Sequence, residues 1–169
     1  MHTALASLQE AHQQTHRALQ GILAETAAER LRTRPHANMN SMVWSVWHSF
    51  RSEDACIARF VVPVQQAFST GDFLARMGVP FTSDGFGMSD ADVTALSNGI
   101  DIAQLQAYGQ AVAAMSAQAF AIVADWDWQT PFAAQDIRVA CGTYADLADD
   151  DVESTVGYAL SMTRGAYLY

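Results

Sequence analysis

Two stretches of this chain concentrate the side chains that can do chemistry. The first, Asn40 to Asp54, reads NSMVWSVWHSFRSED. It sets His48 one helical turn after Trp44, Arg51 one turn after Trp47, and Asp54 three residues after Arg51. Residues three or four apart are neighbours on a helix, so this spacing gathers an imidazole, a guanidinium and a carboxylate near one seam. Such a group can bind a metal ion or position a substrate. The plainer reading is a core histidine hydrogen-bonded to a neighbour, because buried polar groups ordinarily have partners without having a function.

The second stretch holds His12 and His16, an H-x-x-x-H pair on one helical face. Two imidazoles at that spacing can bind one ion, although the same pair also arises as a solvated or half-buried coincidence. His12 lies on the inward stripe of its helix. If the first two helices pack side by side, His12, His16 and His48 converge, with Asp54 within reach. Other chemistries lack their motifs: there is no G-x-S-x-G elbow and no glycine cluster with phosphate-loop spacing. Cys56 and Cys141 have no CxxC partner and read as reduced, partly buried thiols.

The elements that must position these residues are helical. Leu5, Leu8, His12, Thr15, Leu19 and Ile22 alternate in three- and four-residue steps, which predicts a long amphipathic helix from His2 to about Leu31. Pro35 ends it in the turn from Arg34 to Asn38. A second helix starts near Asn40 or Ser41, carries Val43, Trp47, Phe50, Ile57 and Val61 on one face, and closes at Pro63. Asp54 interrupts that apolar row, and a carboxylate there needs a partner.

Residues 65–99 hold Gly71, Gly78, Pro80, Gly85 and Gly87 and read as a long irregular connection, with a short helix opening at Ser89 as its cap. Ile102, Leu105, Tyr108, Val112, Met115, Ala119 and Ile122 define a third long helix, ending near Trp126. Residues 132–148 form a second connection in which Ile137 to Val139 reads as a short extended piece. A fourth helix runs from Asp149 to Tyr169. The fold class is therefore all-α: a single-domain four-helix bundle over residues 1–169, with long crossover connections and a short extra helix.

Composition narrows the function. Of 169 residues 50% are hydrophobic, enough for a continuous core without disulfide or metal staples. Nine basic against eighteen acidic side chains, a formal charge of −9, repel nucleic-acid phosphates and anionic membrane surfaces. Apolar runs such as 60–64 fall far short of the roughly 20 residues that span a bilayer. The expected setting is the cytoplasm, with no nucleic-acid partner and no membrane.

The string WSVWHSFRSEDACIARFV resembles the second helix of the DinB/YfiT-like superfamily, in the branch that reads approximately W-x-x-W-H-x-x-R-x-x-D. The resemblance continues through Gly71-Asp72-Phe73 to Met88, through Ser89-Asp90-Ala91-Asp92-Val93, and through Leu105 to Val112, similar to the family's L-x-x-Y-x-x-A-V. It implies a four-helix bundle, frequently a homodimer, with a divalent metal on three histidines; imidazole ligands suit zinc, nickel or iron. Some relatives are transferases or isomerases that use mycothiol or bacillithiol. By this resemblance His48 is the first metal ligand. The other two belong to an H-x-x-x-H pair in the last helix, and no histidine follows His48 in this sequence.

Two functions follow. One is a metal-dependent enzyme acting on a small molecule with a low-molecular-weight thiol, in which His48 is a ligand and Arg51, Asp54 and Trp44 support the ligands or position the substrate. The other is a metal-free, non-catalytic bundle that dimerises or holds a small apolar ligand, with Tyr158, Tyr167 and Tyr169 lining a core or a subunit interface.

Overall fold

A straight α-helix repeats every 3.6 residues, and that number decides which face of the first helix turns inward. In the computed structural model, which describes residues 2–58, 64–125, 129–142 and 149–161, helix α1 spans His2–Glu25. Its inward residues are Leu5, Leu8, His12, His16, Leu19 and Leu23, while Thr15 and Ile22 face solvent. Five steps from Leu5 to Leu23 cover 18 residues, or 3.6 per step; the expected stripe through Thr15 and Ile22 averages about 3.4, a coiled-coil repeat that an unsupercoiled helix does not follow. This drift buries His16 beside His12.

The expected single helix to Leu31 is broken after Glu25, and a short α2, Ala28–Arg32, follows an extended Ala27. The break carries Leu31 into the core. It also lets the Arg32 guanidinium donate to the Ser97, Asn98 and Ile100 carbonyls at 2.7, 2.9 and 2.8 Å. These lie at the C-terminal end of the helix Asp90–Gly99, where carbonyls lack helical partners and a cation is favoured.

Helix α3, Met42–Cys56, begins where expected, with Ser41 Oγ accepting from the Trp44 N–H at 3.1 Å. Val43, Trp47, Phe50 and Asp54 are fully buried, and Ile57 follows them. Val61 and Pro63 lie outside the described residues. The segment read as irregular contains two short helices, α4 (Ala67–Thr70) and α5 (Phe73–Met77), before α6 (Asp90–Gly99), which Ser89 caps as expected. The reason for α4 is remote in sequence: the Asp54 carboxylate accepts from the Ala67 and Phe68 N–H groups, both at 2.8 Å. It does from α3 what the cap residue Gln66 does not do.

Helix α7, Ile102–Ile122, is capped by Asp101 and packs against both α1 and α3. Gly109 permits the close approach, since a methyl group there would lie within 2.5 Å of Phe50 Cζ and of Gln20 Nε2. Beyond a 3-10 turn, Val123–Asp125, Trp126 and Trp128 lie outside the described residues.

Helix α8, Ala134–Gly142, replaces the short extended piece expected at Ile137 to Val139. An apolar-charged-apolar triplet fits either repeat, and here the Ile137 N–H bonds to the Ala133 carbonyl one turn back. Helix α9, Asp149–Leu160, packs on α8 around Phe132, Ile137, Val156 and Ala159. Residues 162–169, the expected continuation of the fourth helix through Tyr167 to Tyr169, lie outside the described residues. Among the described residues there is no strand, so the all-α class holds. No helix there is long and apolar enough to cross a membrane.

Candidate metal centre

Where α1, α3 and α7 meet, a carboxylate sits between two imidazoles. Glu53 of α3 accepts from His12 Nε2 on Oε1 at 2.6 Å and from His16 Nε2 on Oε2 at 2.8 Å. Ser116 of α7 donates its hydroxyl to the same Oε1. The rings of His12 and His16 stand 4.5 Å apart. Phe120 meets His12 edge-on at 5.2 Å, and Phe50 stacks on His16 at 5.4 Å. Each helix thus contributes a polar group, and α3 and α7 each add an aromatic ring.

The electrostatics follow from this enclosure. Burial pushes the Glu53 carboxyl up, but the hydrogen bonds from His12 and His16, the charge of His16 and the Ser116 hydroxyl outweigh it and lower its pKa from 4.5 to about 2. Glu53 is therefore an anion throughout the physiological range. As an ionised carboxylate it only accepts, so both histidines carry a proton on Nε2 in this arrangement. His16 Nδ1 is buried and has no hydrogen-bond partner.

Two imidazoles and a carboxylate form a donor set that suits zinc, with a fourth position open as in catalytic sites, or non-haem iron. One ligand atom from each of His12, His16 and Glu53 lies within 4.8 Å of the others. The residues present fit a divalent ion in type, number and proximity.

His48 is not in this group; among the described residues the metal-capable cluster is His12, His16 and Glu53. The expected convergence of His48 and Asp54 with the histidine pair is thus replaced by Glu53, for a reason of helical geometry. Five residues along a helix turn about 500°, which leaves Glu53 about 140° around α3 from His48. His48 faces the 82–88 loop instead. Its Nδ1 lies 2.6 Å from the Asp84 carbonyl oxygen, which makes Nδ1 the protonated nitrogen. Its ring stacks on Trp44 at 4.8 Å, and Trp44 Nε1 donates to Met88 Sδ.

Arg51 and Asp54 are brought together, 3.6 Å apart, but in the core between these two centres. Arg51 is 2% exposed and donates to Gln66, to Tyr108 and to the Thr82 and Ser83 carbonyls. Asp54 accepts from Tyr108 Oη as well as from the α4 backbone. Burial raises the pKa of Asp54, against the lowering by the Phe68 N–H, the Tyr108 hydroxyl, the Ala67 N–H and Arg51. Burial likewise pushes the Tyr108 phenol well above its usual value.

Two site residues escaped the sequence reading, Glu53 and Ser116. The signal for Ser116 was a lone hydroxyl between Met115 and Ala117 in an otherwise apolar face; for Glu53 it was the need of an inward histidine pair for a counter-charge.

Residues 8–168 match the family model of the DinB superfamily, which spans nearly the whole chain. The chain belongs to the DinB superfamily. A comparison with curated proteins finds no match. Within this DinB-superfamily chain, the cluster between α1, α3 and α7 and the His48 niche are two separate features that share α3.

Proposed function

We propose that this DinB-superfamily protein binds one divalent metal ion at His12, His16 and Glu53 and acts there on a small molecule, with a low-molecular-weight thiol as cosubstrate. The observation that carries the reading is the convergence of three ligand-bearing side chains from two helices within 4.8 Å. A bound ion supplies Lewis-acid chemistry, lowering the pKa of a thiol or water on its open position. The chain's own groups do the rest. Glu53 supplies the negative charge that holds a cation, His12 and His16 offer imidazole nitrogens on one helical face, and Phe50 and Phe120 pack apolar rings against those two imidazoles. The thiol is proposed from the family resemblance. A homodimer is proposed on the same ground, supported by Tyr158 and Leu160 exposed on α9.

A second reading, a metal-free bundle, draws on a different observation. Glu53 already has three donors, and an ion on His16 Nε2 would move that ring's proton to Nδ1, which has no acceptor among the described residues. Metal content decides between them. Protein purified without chelator, beside His12→Ala and Glu53→Gln, is measured by elemental mass spectrometry. Near-stoichiometric metal, lost in both variants, supports the metalloprotein; metal-free protein that takes up none from added zinc, nickel or iron sinks it. Loss of thiol in the presence of a panel of electrophiles, dependent on that metal, then tests the chemistry.

A further inference from the structure

Ser116 is fully buried in the middle of α7, on a helix face otherwise made of Met115, Ala119 and Phe120. Its hydroxyl has one described partner, Glu53 Oε1. The three bonds to Glu53 do not share one fate when an ion enters. Imidazoles bind a metal through a nitrogen lone pair, so a histidine that ligates through the Nε2 now facing Glu53 gives up the proton it donates there. Ligation through Nε2 therefore ends both histidine bonds. The bond from Ser116 involves no metal-ligating atom of its own and survives.

We propose that Ser116 is the positioning residue of this site: it holds Glu53 Oε1 whether or not metal is present, so that Oε2 alone is offered to the ion. The inference rests on the metal-binding reading above. A carboxylate held in orientation by a hydrogen bond on one oxygen presents the other to the ion, which favours one-oxygen binding, a protein ligand count of three and a position open for substrate. Without the anchor, Glu53 is free to turn both oxygens to the ion and close that position. Ser116 acts through Glu53 and touches neither metal nor substrate.

The test is a titration with Co(II) alone, followed by visible absorption and by competition with a chelator, on the wild-type chain, Ser116→Ala and Ser116→Thr. The thermal melt of each metal-free protein checks that the fold is kept. The wild type is expected to give the intense band of four-coordinate cobalt. Ser116→Ala is expected to bind about 10- to 100-fold more weakly, the usual effect of losing a residue that orients a ligand. Its band should also fade toward that of a higher-coordinate ion. Ser116→Thr, which keeps the hydroxyl, is expected to restore the wild-type spectrum. Equal affinity and identical spectra in wild type and Ser116→Ala overturn the role of Ser116 and leave the metal site standing; no cobalt bound by the wild type overturns both.

Discussion

His16 Nε2 on α1 lies 2.8 Å from Glu53 Oε2 on α3, and this bond joins two helices 37 residues apart in sequence across a partly buried seam. It belongs to the set of bonds that lowers the Glu53 pKa to about 2 from 4.5. A carboxyl whose folded pKa is depressed contributes stability above its unfolded value and loses it as pH falls toward the folded one. The contribution is thus fully present above about pH 4.5 and gone near pH 2. Its size is about 3 kcal/mol for a shift of this order. Denaturant unfolding of chelator-treated wild type and Glu53→Gln between pH 2 and 6 should show a stability gap that closes on acidification. A gap independent of pH would show that Glu53 is not held ionised by its neighbours.

Replacing Asp54 should damage the fold and spare the metal centre. Asp54→Ala leaves the Ala67 and Phe68 N–H groups, the Tyr108 hydroxyl and the Arg51 guanidinium without their shared acceptor in the core. The Ala67 and Phe68 N–H groups left unpaired, together with a buried guanidinium that loses its counter-charge, cost about 3 kcal/mol or more. Urea unfolding measures that loss. Metal affinity of the still-folded fraction should be unchanged, since none of the Asp54 partners is His12, His16 or Glu53; a matching loss of affinity would place Asp54 in the site after all.

The helical class and several helix starts were legible because they depend on local spacing: Ser41 and Ser89 cap the helices they precede, and the α7 stripe from Leu105 to Ala119 is buried as its repeat implies. The histidine pair was legible for the same reason. Its partner was not. Glu53 and Asp54 are adjacent acids on one helix, and only the packing of α1, α4 and α7 around α3 decides which of them meets histidines and which caps α4. The α1 stripe shows the limit from the other side, since a three-four alternation is compatible with both 3.4 and 3.6 residues per step, and only the longer repeat brings His16 inward.

Gly109 sets how closely α7 can approach the site. Alanine is favoured over glycine inside a helix by about 1 kcal/mol, so a substitution at an unconstrained position would stabilise. Here the added methyl would overlap Phe50 Cζ, and Phe50 stacks on His16. Overpacking typically costs about 1–3 kcal/mol, so Gly109→Ala should lower the melting temperature and weaken metal binding together. A higher melting temperature would mean that Phe50 has room to retreat.

The last prediction concerns His48, the residue that the family resemblance marks as a ligand. Its Nδ1 faces a backbone carbonyl, which can only accept, so the neutral ring must carry its proton on Nδ1 and leave the Nε2 lone pair bare. Arg51 holds the loop that supplies this carbonyl, through Thr82 O at 2.6 Å and Ser83 O at 3.4 Å. Nitrogen-15 NMR of the side chain should therefore report the Nδ1–H tautomer. Arg51→Met, which frees the loop, should let the ring exchange between tautomers. An Nε2–H tautomer in the wild type would mean that the loop does not orient His48, and would remove the basis for any ligand or proton-transfer role of its outer nitrogen.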